Sequence, residues 1–287
     1  MKKILFVISE WGYWGEELVG PLEACDNAGY EITFVTPTGK KPTPLAVSMQ
    51  AGSIDPPLGR AVTSEYYANK TRQLDESDRL NNPINLEQWL PQRAYPSSPS
   101  YLRDMEAYYR QIDSIVDEEL VTYDALLIVG GSGAMVDLAN NFRLHQLILG
   151  FYKLNKPIAV ECYGVACLAF ARDLRQKESI ISSKRVTGHP IDYDYLDGTA
   201  FDGLHAVDNS NYGFGDGYIN FGPPFYPLEF ILSDAVKPDG AYIGNVGHET
   251  SVIVDYPFIT SRSTASSSEC GQKLVEVLEQ GLTRYGW

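Results

Sequence analysis

The chain has 287 residues, 44% of them hydrophobic and 21% charged, which is the balance of a globular protein able to bury a sizeable α/β core. A net charge of −14 leaves no Lys/Arg surface for phosphate backbones and disfavours anionic membranes, so neither nucleic acid nor membrane is expected as a partner. Four cysteines at irregular spacing fit no disulfide framework, and no run approaches a transmembrane helix, so the cytoplasm is the expected compartment.

Met1-Lys2-Lys3 followed by an apolar run has the outline of a signal peptide, but Glu10 follows without a small-residue cleavage site, and a first strand over 3–8 is the better reading. Glu10-Trp11-Gly12-Tyr13-Trp14-Gly15-Glu16-Glu17 then leads into a helix over 17–28, stopped by Gly29. A second strand covers 30–36 and closes at Pro37-Thr38-Gly39. Residues from about 40 to 103 break the alternation with Pro, Asn, Ser and Tyr; Tyr66, Tyr67, Trp89 and Tyr95 argue for packed surface over disorder. A strand over 125–129, a helix over 134–153, a strand over 158–161 and a helix over 165–172 follow. A second irregular stretch, about 195 to 226, carries Tyr212, Phe214 and Tyr218. Leu274, Val277, Leu278 and Leu282 stripe a C-terminal helix that starts near Glu269. Repeated β-loop-α units imply one α/β domain over 1–287, built on a parallel sheet with helices on both faces; the two inserts serve as lids or oligomer contacts.

Cys162 sits between the buried strand Pro157-Ile158-Ala159-Val160-Glu161 and the small, apolar start of a helix, with Gly164 two positions on. That is the pattern of a nucleophile elbow, and a helix start beyond the sulfur favours thiolate. Buried cysteine is otherwise a small hydrophobe, the reading that suits Cys25, Cys167 and Cys270 within helical patterns. No C-x-x-C pair exists and no histidine neighbours Cys162, so a zinc site is excluded. Ligands of open parallel sheets bind beyond the carboxyl ends of the strands. There Gly130-Gly131-Ser132-Gly133 follows a strand without G-x-G-x-x-G spacing, and an amide of Gly131 or Ser132 can oppose that of Tyr163 as an oxyanion hole. Glu16 and Glu17 are dipole partners in solvent or, flanked by Trp11 and Trp14, a buried proton donor beside the thiol.

Taken together, these segments resemble the ThiJ/PfpI superfamily, in particular its larger chaperone/glyoxalase-III-like branch. The matching pieces are Glu17-Leu18-Val19-Gly20-Pro21, the strand ending in Val35-Thr36-Pro37-Thr38-Gly39, Gly130 to Gly133 with Asp137-Leu138, Glu161-Cys162-Tyr163-Gly164, Arg185-Val186-Thr187-Gly188, and Ile259 through Ser267. They stand in family order and leave the two inserts uncovered. The resemblance implies a flavodoxin-like, doubly wound fold of the class I glutamine amidotransferase-like kind. It also implies Cys162 as nucleophile, Glu17 in preference to Glu16 as proton relay, no cofactor, and a homodimer. Activities in the family include conversion of glyoxals to hydroxy acids, isonitrile hydration, amidase or peptidase activity, and chaperoning.

One departure matters: where better-known branches carry a histidine after the nucleophile, this chain has Tyr163, a poor base at neutrality that can still donate a hydrogen bond. His189, in Gly188-His189-Pro190, follows a strand where the family sometimes supplies a third catalytic acid; His145, His205 and His248 are weaker candidates. Three functions fit: a cysteine-dependent enzyme on a small electrophilic metabolite (a glyoxalase-III-like lyase or hydratase ahead of a hydrolase), a stress-response, redox-sensing or chaperone-like protein, and a binding module that has lost its chemistry.

Overall fold

The computed structural model describes residues 1–52, 54–55, 60–193, 206–207, 220–221, 226–244 and 251–287. Its centre is a sheet of eight strands: β1 (Lys3–Val7), β2 (Glu31–Thr36), β3 (Ile84–Asn85), β4 (Ala125–Ile128), β5 (Ile158–Glu161), β6 (Val252–Asp255), β7 (Phe258–Ser261) and β8 (Arg284–Tyr285). The spatial order is β8-β6-β7-β5-β4-β1-β2-β3. From β7 to β3 all neighbours are parallel, while β6 joins β7 and β8 antiparallel at one edge. The expected doubly wound α/β architecture is therefore present.

Burial on both faces explains the near-continuous apolar strands. Leu5, Val7, Leu126, Ile128, Ile158 and Val160 enter one core, and Ile4, Phe6, Leu127 and Ala159 enter the other, the period-2 alternation of a strand. Each of these Val, Leu, Ile and Phe side chains contributes roughly 1.5–3 kcal/mol by leaving water. On the first face lie α3 (Tyr101–Glu118), through Met105, Tyr108, Ile112 and Val116, and α4 (Phe142–Lys153), through Leu144, Leu147, Ile148 and Phe151. The second is covered by α1 (Gly15–Asn27), through Leu18, Leu22 and Cys25, and by α6 (Ser267–Gln280), through Cys270, Leu274 and Val277.

Several expectations need correction. The helix expected over 134–153 is two pieces, Ala134–Asp137 and α4, because Asn141 Oδ1 accepts from the N–H groups of Arg143 and Leu144 and caps a new helix there. The segment of about 40 to 103 is not all irregular: α2 (Glu65–Glu76) packs on α1, and β3 extends the main sheet. The helix expected over 165–172 begins as a 3-10 turn, Cys162–Val165, and is helical only over Ala166–Phe170. At the C-terminus, Gly281 takes a left-handed φ of 69° and ends α6, leaving Leu282 outside the helix. Of the stretch from 195 to 226, the paired strands Ala206–Val207 and Asn220–Phe221 and residue Tyr226 are described; Tyr212, Phe214, Tyr218, His205 and His248 lie outside the described residues. Among the described residues no helix is long and apolar enough to cross a membrane.

Candidate active site

The carboxyl ends of β1, β4, β5 and β7 converge on Cys162. Strand β5 ends at Glu161, and Cys162 then takes φ 50°, in the left-handed region that side chains avoid. Such a conformation costs about 1–3 kcal/mol and persists where the surroundings enforce it. Here the fully buried turn Cys162–Val165 enforces it, and the residue is 4% exposed.

Glu17 arrives from the opposite side. The Trp14 N–H donates to Gly130 O (3.3 Å), which latches the start of α1 onto the loop after β4. Glu17, 1% exposed, then lies against Gly130. A Cβ there would collide with Glu17 Oε2 and stand 2.9 Å from Cys162 Cβ, so only glycine lets carboxyl and thiol meet. Burial raises the Glu17 pKa to about 8; the Cys162 thiol, the His189 charge and the Gly131 amide pull it back, and the Glu16 charge adds to the rise. With its pKa raised by burial above neutrality, the carboxyl favours its protonated form at pH 7. Glu16 is spent elsewhere: it accepts from Thr264 Oγ1 (2.8 Å), and burial lifts it to about 7.

The expectation of a ready thiolate is not met. Burial first, then the Glu17 charge and hydrogen bond, push the Cys162 thiol well above its ordinary value. The backbone N–H groups of Tyr163 and Gly131 work the other way and pull the thiol back down. Ser132 is buried one residue on, its carbonyl accepting from Met135 N–H (3.1 Å). The following helix is too short to add a useful dipole.

A base is at hand, however. His189 Nδ1 lies 3.4 Å from Cys162 Sγ. Its loop is tied down on three sides. Thr187 N–H donates to Thr260 Oγ1 (2.9 Å), Tyr242 O–H to Gly188 O (3.0 Å), and Ile191 N–H to Glu229 Oε2 (3.1 Å) on α5 (Leu228–Ala235). The imidazole stacks on the Tyr163 ring with centroids 4.4 Å apart and planes at 30°. Tyr163 is thus the floor under a histidine supplied from another segment. His145, by contrast, sits on α4 with Nε2 2.8 Å from Ala139 O, and burial lowers its pKa. Cys25, Cys167 and Cys270 are buried, free and helical. Among the described residues no cluster has the geometry of a metal site.

A doubly wound sheet, a strained cysteine after a central strand, and a glutamate from the first helix are the features the resemblance implied. The ThiJ/PfpI family-like pattern matches residues 8–183, and that of the DJ-1/PfpI family matches residues 100–277. The chain belongs to the ThiJ/PfpI family. It also resembles glutamine amidotransferase-like class 1 domain-containing protein 1 of Bos taurus, 27% identical over 154 residues, 53% of this chain and 58% of that protein. Similar solved structures include the Rapid Encystment Protein 24 kDa of Francisella tularensis, at 20% identity and TM-score 0.63, covering 97% of this chain and 99% of that one. Glyoxalase III from Candida albicans follows at 15% identity and TM-score 0.54, covering 97% and 98%.

Three residues of this ThiJ/PfpI protein's site escaped the sequence reading. Glu161 is fully buried, accepts from Ser261 Oγ (3.0 Å), and is raised well above the usual carboxylate range by burial and then by Glu17. Tyr193 places its ring against His189, and Arg262, fully buried, lies over Tyr193. Arg262 follows the last residue of β7 and was findable by the strand-end rule; Glu161 hides in an apolar run.

Proposed function

We propose that this chain is a cofactor-independent, cysteine-dependent enzyme that acts on a small electrophilic carbonyl compound, a 2-oxoaldehyde in the first instance. The observation that carries this is the 3.4 Å approach of His189 Nδ1 to a strained, buried Cys162 with the buried Glu17 carboxyl at its side. His189 takes the thiol proton, and the sulfur adds to the aldehyde carbon. The carbonyl electron pair moves to oxygen, where the amides of Gly131 and Tyr163 meet the developing charge. The imidazolium proton passes to that oxygen. His189 next removes the carbon-bound proton while Glu17 protonates the neighbouring carbonyl oxygen. The imidazolium then gives its proton to that neighbouring carbon as the Glu17 carboxylate takes back the hydroxyl proton on the sulfur-bearing carbon, which becomes the carbonyl of a 2-hydroxy acid thioester. Water hydrolyses the thioester, freeing the thiol, so the sum is one water added and no redox partner. The same nucleophile and oxyanion donors suit hydration of an isonitrile, which makes a lyase or hydratase preferable to a hydrolase.

The sensing alternative draws less support, because peroxide-sensing thiols are accessible and of low pKa, whereas this one is buried and raised. His189 likewise counts against a binding module without chemistry. Incubation with methylglyoxal, with lactate quantified in the product, tests the reading. Wild type is expected to turn over, Cys162→Ser to be inactive, and His189→Asn to lose on the order of 10²-fold or more in kcat. Full activity in Cys162→Ser would sink the mechanism.

A further inference from the structure

Register places a second side chain beside the nucleophile. Ser261 pairs with Glu161 across β7 and β5, and Arg262 follows directly after β7 as Cys162 follows directly after β5. It is among the largest fully buried side chains of the described residues, and its Nη1 donates to Gly244 O (3.3 Å). Its guanidinium carbon lies 5.3 Å from the centroid of the Tyr193 ring, within cation–π range. Tyr193 in turn meets His189 at 5.6 Å between centroids and 78° between planes, an edge-to-face contact. On its other side His189 lies flat against Tyr163.

Stacking on one face alone leaves an imidazole free to turn about its Cβ–Cγ bond by half a revolution, which would put carbon where Nδ1 now faces the sulfur. A second ring set nearly perpendicular to it opposes that turn. The turn that carries Tyr193, Ile191–Tyr193, is short and holds to α5 through the Ile191 N–H bond to Glu229. Arg262 directly follows β7, is fully buried, and its backbone N–H donates to Ser251 O (3.0 Å), which makes it a fixed anchor for the ring.

We infer that Tyr193 and Arg262 are positioning residues for His189: the buried guanidinium holds the Tyr193 ring, and that ring keeps Nδ1 on the Cys162 sulfur. The inference rests on the nucleophile–base reading of Cys162 and His189. It also accounts for Tyr163 in chemical terms, as one wall of an aromatic slot that replaces a histidine carried next to the nucleophile.

The test pairs two readouts on the full chain. One is the rate of Cys162 alkylation by iodoacetamide at pH 7, and the other is the imidazole 15N spectrum, which is sparse because the chain has only four histidines. In wild type His189 is expected to show a single ring environment. Tyr193→Phe keeps the ring and is expected to match wild type in both readouts. Tyr193→Leu is expected to slow alkylation about tenfold, the scale of one lost aromatic contact, and to give mixed ring states. Arg262→Lys is expected to retain most of the rate and Arg262→Met to resemble Tyr193→Leu. The double variant is expected to be no slower than either single one, since both act through one ring. The Tyr193 pair carries the test alone should the buried Arg262→Met unfold. Unchanged rate and spectrum in Tyr193→Leu, or multiplying losses in the double variant, would overturn the inference. Alkylation that ignores His189→Asn would overturn the nucleophile–base reading itself, and this inference with it.

Discussion

Two thiol–carboxyl pairs are buried in the two cores of this molecule. Cys162, in the core that contains Leu5 and Val7, faces Glu17; Cys270, in the core that contains Ile4 and Phe6, is pushed up by burial and by Glu161. Both thiols are raised well above their ordinary value, so a buried acid beside sulfur does not by itself make a reactive site. What separates them is everything around the pair. Cys270 lies inside a regular helix and has Ser261 as its polar neighbour. Cys162 has a left-handed backbone, two amides on its sulfur and a histidine nitrogen at 3.4 Å. The backbone strain and the neighbouring histidine, more than the resting pKa, set the two thiols apart.

The sharpest way to break this comparison is differential alkylation of the native chain. Cys162 is expected to react first, with Cys270 at least about 10²-fold slower and released only by unfolding, the span that a positioned base supplies. Equal rates at the two thiols, read by peptide mass spectrometry, would erase the distinction.

A smaller effect is expected from Gly130→Ala. The added Cβ collides with Glu17 Oε2 and crowds Cys162 Cβ, so stability should fall by about 1–3 kcal/mol in denaturant titrations, with Cys162 reactivity altered and Cys270 untouched. A variant as stable as wild type would mean that Glu17 is not held where it is described.

A change confined to the pH dependence sharpens the acid side. A carboxyl whose folded pKa is about 8 against an ordinary 4.5 holds a proton in the native state that the unfolded chain has released. Its contribution to stability is therefore fully present below about pH 4.5 and is lost as pH rises through about 8. Glu17→Gln should flatten the fall in stability across that window by at most about 1.4 kcal/mol per pH unit. Glu16 and Glu161 are raised as well and leave a residual slope. Urea midpoints at pH 5 to 8 give the answer; identical slopes in mutant and wild type would show that Glu17 is already ionised.

How much of this was written in the sequence depends on distance along the chain. Cys162, Gly131 and Glu17 were legible because each lies directly after a strand or opens a helix, where local pattern and the geometry of parallel sheets agree. His189 was only a candidate, because its position depends on Thr260, Tyr242 and Glu229, partners some 38 to 73 residues away that no local pattern announces. Strand β3 was missed since two residues carry no alternation, and the break before α4 turned on the side chain of Asn141. The thiolate was overestimated because sequence reveals a helix start but not the burial that opposes it.

The residues of the site come from positions 17, 131, 162 and 189, and each is brought in by a different connection of the sheet. During synthesis, then, the nascent chain carries an unremarkable cysteine for as long as residue 189 has yet to leave the ribosome and dock. On the proposed mechanism the thiol gains its base only when the His189 loop docks, and a chain truncated before that loop is expected to leave Cys162 unreactive however much of its sheet has formed.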